Sequence, residues 1–208
     1  MNQRLEKLSR LVMPFYPSGD PAHDWPHVLR VVQNCSLLGK GEKINLDCLL
    51  AAAYCHDLVN LPKNHPDRSK ASLMSAEKSA SYLSEAQFTV EEIELVKKIV
   101  IEHSYSAGHE ASNLEAAILQ DADRLDALGA IGILRCASVN TQMKTSFYDF
   151  HDPLAKKREL NDKEFMLDHY FVKLFNLPGK MNTPRGKIEA EKRMQYMKAF
   201  IEKLGEEI

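Results

Sequence analysis

An all-α fold is predicted for this 208-residue chain, on three observations. Apolar residues recur at helical spacing, as in Leu5, Leu8, Leu11 and Val12. Helix start and stop signals punctuate most of the chain: Asp24-Trp25-Pro26, Thr89 with Glu92 three residues on, Gly39 and Gly41, and Thr183-Pro184. No segment shows the period-two alternation of a half-buried strand. There is no internal repeat and no Pro/Gly/Ser-rich linker, and the length favours one domain over residues 1–208 with a substantial core.

The elements follow in order. Residues 2–13 form a first helix. Asp24 caps a second, with Pro26 in the first turn, where a missing N–H costs little; it runs through "HVLRVVQNCSLLG" and stops near Gly39 and Gly41. Asp47 is the expected cap of "CLLAAAYCHDLVN", and Pro62 its terminator. A long helix covers Ser69 to about Ala86. The capping box at 89–92 opens a helix with Ile93, Val96, Ile99 and Val100 that reaches His103. Asn113 starts one continuous helix through "LEAAILQDADRLDALGAIGILRCASV". Residues 162–176 form a further helix, and Thr183-Pro184 caps the last one. The polar and aromatic stretch 144–160 is either a short helix or a surface loop, and its length makes it a candidate lid.

Composition narrows the function classes. Twenty-seven basic and 29 acidic residues leave a net charge of -2, so no strong field points to nucleic acid or to an anionic membrane as partner. The run "LLAAAYC" is far too short to span a bilayer, and "MNQRLEKLSRLVMPFY" is too charged for a signal-peptide core. A cytoplasmic location is the expectation. Cys35, Cys48, Cys55 and Cys136 form no CxxC pair and read as buried free thiols.

The chemistry concentrates in four places: "HDWPH" at 23–27, "HD" at 56–57, "IEHS" at 101–104 and "QDADRLDALGA" at 120–130. Each sets His or Asp at a helix end or within an apolar helix. Burying an imidazole and a carboxylate costs free energy unless both are compensated. A divalent cation would do so, since imidazole and carboxylate are its ligands in catalytic sites.

His27, His56-Asp57 and Asp123 stand in the order H…HD…D, and "AHDWPHVLRV", "CHDLV" and "QDADRLDALGAIG" together resemble the HD-domain metal-dependent phosphohydrolase superfamily. The loop "KNHPDR", the segment "EHSYSA" and the tail "DHYFVKLFNLPGKMNTPRGK" are similar to its YedJ/YpgQ-like bacterial branch. The resemblance implies a compact HD-domain helical bundle, with a motif-bearing core over about 22–132 and C-terminal helices from 133 to 208 packed on it. It implies hydrolysis of phosphate esters or anhydrides with a divalent metal (Mn, Mg, Zn, Ni or Co). The substrate is expected to be a small phosphorylated molecule, a nucleotide above all, with nucleoside triphosphate pyrophosphohydrolysis as the branch's precedent. The alternative is a degenerate HD domain that binds a nucleotide or a protein without turnover.

Carried onto this chain, the resemblance makes His27, His56, Asp57 and Asp123 the metal ligands. His23 reads as supporting or structural, because the helix begins after it. Asp126 shares a helical face with Asp123 and is a candidate to orient a ligand or water; Asp121 and Arg124 read as a solvated or structural pair. One departure stands out: nucleotidase-type members carry a carboxylate three residues after the HD aspartate, and Asn60 occupies that position here. Asp67, Asp126 or His103 is then the candidate base, unless the metal suffices. Lys63, His65 and Arg68, in a turn stiffened by Pro62 and Pro66, are the candidate phosphate clamp. His109, His151 and His169 are read as structural or surface residues.

Overall fold

The computed structural model describes residues 2–16, 23–61, 65–104 and 108–208. Among them are nine α-helices and no named strand, in agreement with the all-α expectation. The chain divides into two compact units, Met1–Asp123 and Arg124–Ile208.

In the first unit, α1 (Gln3–Val12) starts from an Asn2 cap and buries Leu5, Leu8 and Val12. Helix α2 (Trp25–Leu38) has the expected Asp24 cap. Helix α3 (Leu46–Cys55) is buried on nearly all sides, which is why its sequence is apolar without periodicity. It packs against α1, α2, α4 (Ala71–Glu85) and α5 (Val90–Glu102). Its cap is Asn45, which accepts from the Cys48 N–H, and not the expected Asp47. Asp47 instead pairs with Arg4 at 3.1 Å, and the same guanidinium grips Glu92 with both terminal nitrogens, at 2.7 and 3.1 Å. Glu92 also completes the capping box with Thr89 at the start of α5. One arginine thereby ties α1 to α3 and α5.

Helix α3 also ends earlier than expected, at Cys55, so His56 is its C-cap and Asp57 lies beyond it. Pro62 falls outside the described residues. The helix read as continuous from Asn113 is two: α6 (Leu114–Asp126) and α7 (Gly129–Met143), with a turn at Ala127 and Leu128. Two glycines make the corner. Gly129 has φ +75°, and a methyl group at Gly132 would collide with the Ala127 carbonyl.

In the second unit, α7 packs against α9 (Pro184–Glu207), which has the expected Thr183 cap. Residues 144–165 form a loop without helix, tied at its ends by a bridge between Ser146 and Phe165. The Asp152 carboxylate accepts the backbone N–H groups of Lys156, Lys157 and Arg158. Arg158 then grips the buried Asp168 bidentately, at 2.6 and 2.7 Å, and Asn161 N–H donates to the same carboxylate. The N–H groups of Met166 and Leu167 donate to the Ser146 and Phe147 carbonyls and not to residues 162 and 163, so helix α8 begins at Met166; it ends at Val172, before a 3-10 turn at Leu174–Asn176, and is shorter than the expected 162–176.

Two expected outcomes test this frame. Burial pushes the Asp168 carboxyl up, but the Arg158 guanidinium and the Asn161 N–H outweigh it and hold it below its ordinary value. Asp168→Asn leaves Arg158 without its counter-charge and should cost about 3–5 kcal/mol. With a folded pKa below the unfolded value of about 3.9, the contribution is complete above about pH 4 and is lost as pH falls through the folded value. Urea midpoints should fall on acidification for wild type and fall less for Asp168→Asn, and parallel profiles would count against this role. Gly132→Ala should lower stability by about 1–3 kcal/mol through the backbone collision, read from urea midpoints.

Candidate metal centre

Each donor side chain is placed by the end of a helix or by a contact that fixes its backbone. His27 lies in the first turn of α2, where Asp24 accepts its N–H at 2.9 Å, and its imidazole is 1% exposed. His56 closes α3 and donates from Nδ1 to the Ala53 carbonyl at 2.8 Å. His103 closes α5 in the same way, with Nδ1 bonded to the Val100 carbonyl at 2.5 Å. Each bond satisfies a carbonyl left over at a helix C-terminus. With Nδ1 carrying the proton, the Nε2 lone pair is free for a metal. Asp123 comes from α6, where the buried Asn34 of α2 donates to the carbonyl of Ala122 at 3.0 Å.

The segment after His56 is pinned as well. Val59 N–H donates to Ser75 Oγ at 3.0 Å, and Lys78 donates to the Leu58 carbonyl at 3.2 Å. Tyr16, Trp25 and Tyr54 pack behind it, and the Tyr16 hydroxyl donates to the Tyr54 carbonyl at 2.7 Å.

The donors converge. The Nε2 atoms of His27 and His56 are 3.3 Å apart. His27 Nε2 is 3.9 Å from Asp57 Oδ2 and 3.6 Å from Asp123 Oδ1, and His56 Nε2 is 3.6 Å from Asp57 Oδ2. One donor atom from each of His27, His56 and Asp57 fits within 4.8 Å of the others, a spread that could hold a metal ion. A tetrahedral ion with ligand distances of about 2.1 Å sets its ligands about 3.4 Å apart, so the donor set fits one divalent cation. The carbonyl ends of α3 and α5 face the same region, and helix C-termini favour a cation.

The electrostatics suit this use. Burial lowers the His56 pKa to about 4, so the ring is neutral at pH 7 and able to ligate. Burial opposes ionisation of Asp57, but the imidazoles of His56 and His103 outweigh it and hold the carboxyl well below its usual range. Burial also works against a proton on His103, yet the Asp57 carboxylate, 3.8 Å away, raises its pKa.

Beside the donors lies a cleft of about 50 Å³ lined by His23, Asp57, Asn60, Arg68, Ser72 and His103, among others. Of the expected phosphate clamp, Arg68 lines this cleft and donates to the Leu61 carbonyl. His65 is exposed, its Nδ1 accepts the Asp67 N–H, and it is not among the cleft residues. Lys63 falls outside the described residues. Asp67 pairs with Lys70 at 2.7 Å at the surface, and the buried Asp126 pairs with Arg135, so both candidate carboxylate bases are engaged elsewhere. Asp121 is fully buried rather than solvated. His23, read as supporting, lines the cleft. Ser72 and Ser104 also line it; Ser104 ends the segment "IEHS" but is not singled out by it, and Ser72 belongs to no motif, its one available signal being that it follows Arg68 by four residues, a single helical turn.

Comparison with known proteins agrees with this geometry. The HD-domain family model matches residues 25–128. Bacillus subtilis YpgQ is 26% identical over 207 residues, which span 99% of this chain and 94% of YpgQ. Its crystal structure in complex with ADP matches with a TM-score of 0.77, covering 99% and 95% of the two chains. The crystal structure of an HD-superfamily hydrolase from Bacillus thuringiensis is 31% identical, with a TM-score of 0.75 and coverage of 98% and 96%. The fold is therefore one used by hydrolases, and the matched segment carries every donor of the cluster: this chain belongs to the HD-domain family.

Proposed function

We propose that this protein is a divalent-metal-dependent phosphohydrolase acting on a nucleotide, and that the reaction is release of pyrophosphate from a (deoxy)nucleoside triphosphate. The observation that carries the reading is the convergence of His27, His56 and Asp57, with Asp123 3.6 Å from His27, beside a cleft lined by Arg68. YpgQ, solved in complex with ADP, supports a nucleotide as the ligand class.

A bound divalent cation supplies a Lewis acid for a phosphoryl oxygen and lowers the pKa of water. The chain's own residues do the rest. His27, His56, Asp57 and Asp123 hold the ion; Mn, Mg, Zn, Ni and Co all suit this donor set. His103, with Nδ1 occupied by Val100, presents Nε2 toward Asp57 and is placed to exchange a proton with water or with the departing group. Arg68 offsets phosphate charge. In the proposed reaction a water oxygen bonds to the α-phosphorus, the Pα–O bond to the β-phosphate breaks, and pyrophosphate leaves with the electron pair. Such an anion leaves more readily than an alkoxide, which fits a site with Asn60 where nucleotidase-type members have a carboxylate. No membrane role is included: among the described residues no helix is long and apolar enough to cross a bilayer.

A second reading, a binding domain without turnover, is favoured by one observation: Asp67 and Asp126 are both tied up in ion pairs. Turnover decides between the two. Phosphate and pyrophosphate release should be measured over a nucleotide panel with each metal, after metal analysis of the purified protein.

His56→Ala and Asp123→Ala should each abolish turnover and weaken metal binding by more than about 100-fold, beyond the cost of losing a residue that only orients a ligand. Full activity with full metal content in either variant would overturn the ligand assignment. His169, which pairs with Asp162 in the second unit, should tolerate alanine without loss of chemistry.

Arg68→Ala should reduce kcat/KM by more on a nucleoside triphosphate than on a small monoester, at unchanged metal content, because more of the triphosphate's charge depends on the guanidinium. Equal losses on both substrates would remove Arg68 from phosphate recognition.

A further inference from the structure

Helix α4 buries three serines, Ser72, Ser75 and Ser79, and they differ in one respect. Ser75 Oγ accepts the Val59 N–H, and Ser79 Oγ donates to the Ala76 carbonyl. Ser72 is 4% exposed and lines the cleft beside Asp57; no hydrogen bond to a described residue holds its hydroxyl, which stays accessible from the cleft and is not sealed in the core. A buried helical serine ordinarily satisfies itself on the preceding turn of its own helix. Ser72 does not, and its location directs the unused donor into the cleft.

The surroundings specify what the hydroxyl would meet. The 3-10 turn Arg68–Lys70 runs directly into α4, which sets Arg68 and Ser72 one turn apart in the lining, with Ala71 beside them. Asn60 and Ser104 add neutral polar groups, and among the described residues the one carboxylate in the lining is Asp57, a member of the donor set. The volume of about 50 Å³ is far below the roughly 300–1,000 Å³ of pockets that enclose whole ligands. It suits one tetrahedral anion.

We propose that Ser72, with Arg68, forms a binding subsite for a single phosphoryl group of the substrate. The proposal rests on the phosphohydrolase reading for the identity of the ligand, but binding tests it independently of turnover. Inorganic phosphate is the probe, titrated calorimetrically into metal-loaded wild type, Ser72→Ala, Ser72→Asp and Ser79→Ala, with metal content and melting temperature measured for each. A hydrogen bond to a charged group predicts roughly 10-fold weaker phosphate binding in Ser72→Ala. Ser72→Asp should abolish binding by repulsion, and Ser79→Ala should bind as wild type does. Ser72→Ala, the milder change, decides the matter if Ser72→Asp fails to fold. Wild-type affinity in Ser72→Ala, an equal loss in Ser79→Ala, or no phosphate binding by wild type would each overturn the subsite. Nucleotide turnover with a Ser72-independent KM would leave the hydrolase reading standing and reject the subsite. Ser72-dependent phosphate binding without turnover on any nucleotide would do the reverse.

Discussion

The bond between an imidazole Nδ1 and a carbonyl in the last turn of its own helix is the contact on which the candidate site depends. It occurs at the ends of α3 and α5, as His56 to Ala53 and His103 to Val100. Each removes an orphan carbonyl, fixes a tautomer and directs Nε2 outward. A histidine mid-helix could not do all three, because the carbonyl it needs would already be bonded. The placement therefore follows from where the helices stop. That makes Ser75, Lys78 and the Tyr16–Trp25–Tyr54 cluster more than packing, since they hold the segment that follows α3 in position.

The same contact sets the electrostatics. Three neighbouring imidazoles in a buried region would repel one another if all were charged. Burial keeps His56 neutral, while Asp57 favours the proton on His103. The pair divides one carboxylate's influence unequally, and His56 is left as a ligand that does not need to lose a proton first. His27 reaches the cluster from the opposite end of its helix, and Asn34, two turns further along α2, anchors the backbone beside Asp123. Helix α2 thus supplies one donor and positions another.

Much of this was legible in the sequence, for physical reasons. The Asp24, Thr89 and Thr183 caps are local interactions, and each stands where its motif put it. His27, His56, Asp57 and Asp123 are singled out by the resemblance of their order to the HD-domain motifs; the structure buries the two histidines and leaves the two carboxylates partly exposed. The failures are of one kind. Asn45 replaced Asp47 as a cap because Arg4, 43 residues away, claims Asp47. Helix α8 starts late because Ser146 and Phe147, some 20 residues away, take the N–H groups of Met166 and Leu167. The break between α6 and α7 hangs on Gly129 and Gly132, which read as tolerated helix residues until the backbone path is known. Asp67 and Asp126 looked available as bases and are engaged by Lys70 and Arg135. Ser72 carried no motif; only the absence of a partner reveals it.

Charge balance connects the donor set to the kind of substrate. Two carboxylates, Asp57 and Asp123, roughly neutralise one divalent cation, so the ion gives the site little surplus positive charge. A polyphosphate must then be met by other groups, and the chain supplies them next to the donors rather than among them. Arg68 and Ser72 both line the cleft, and so does Asn60, where a further carboxylate would repel an anion. On the proposed reading, a monoester with a neutral leaving group would gain little from that lining, whereas a nucleotide polyphosphate would gain at each oxygen placed there, and the same groups would stabilise the charge that develops on the departing phosphate.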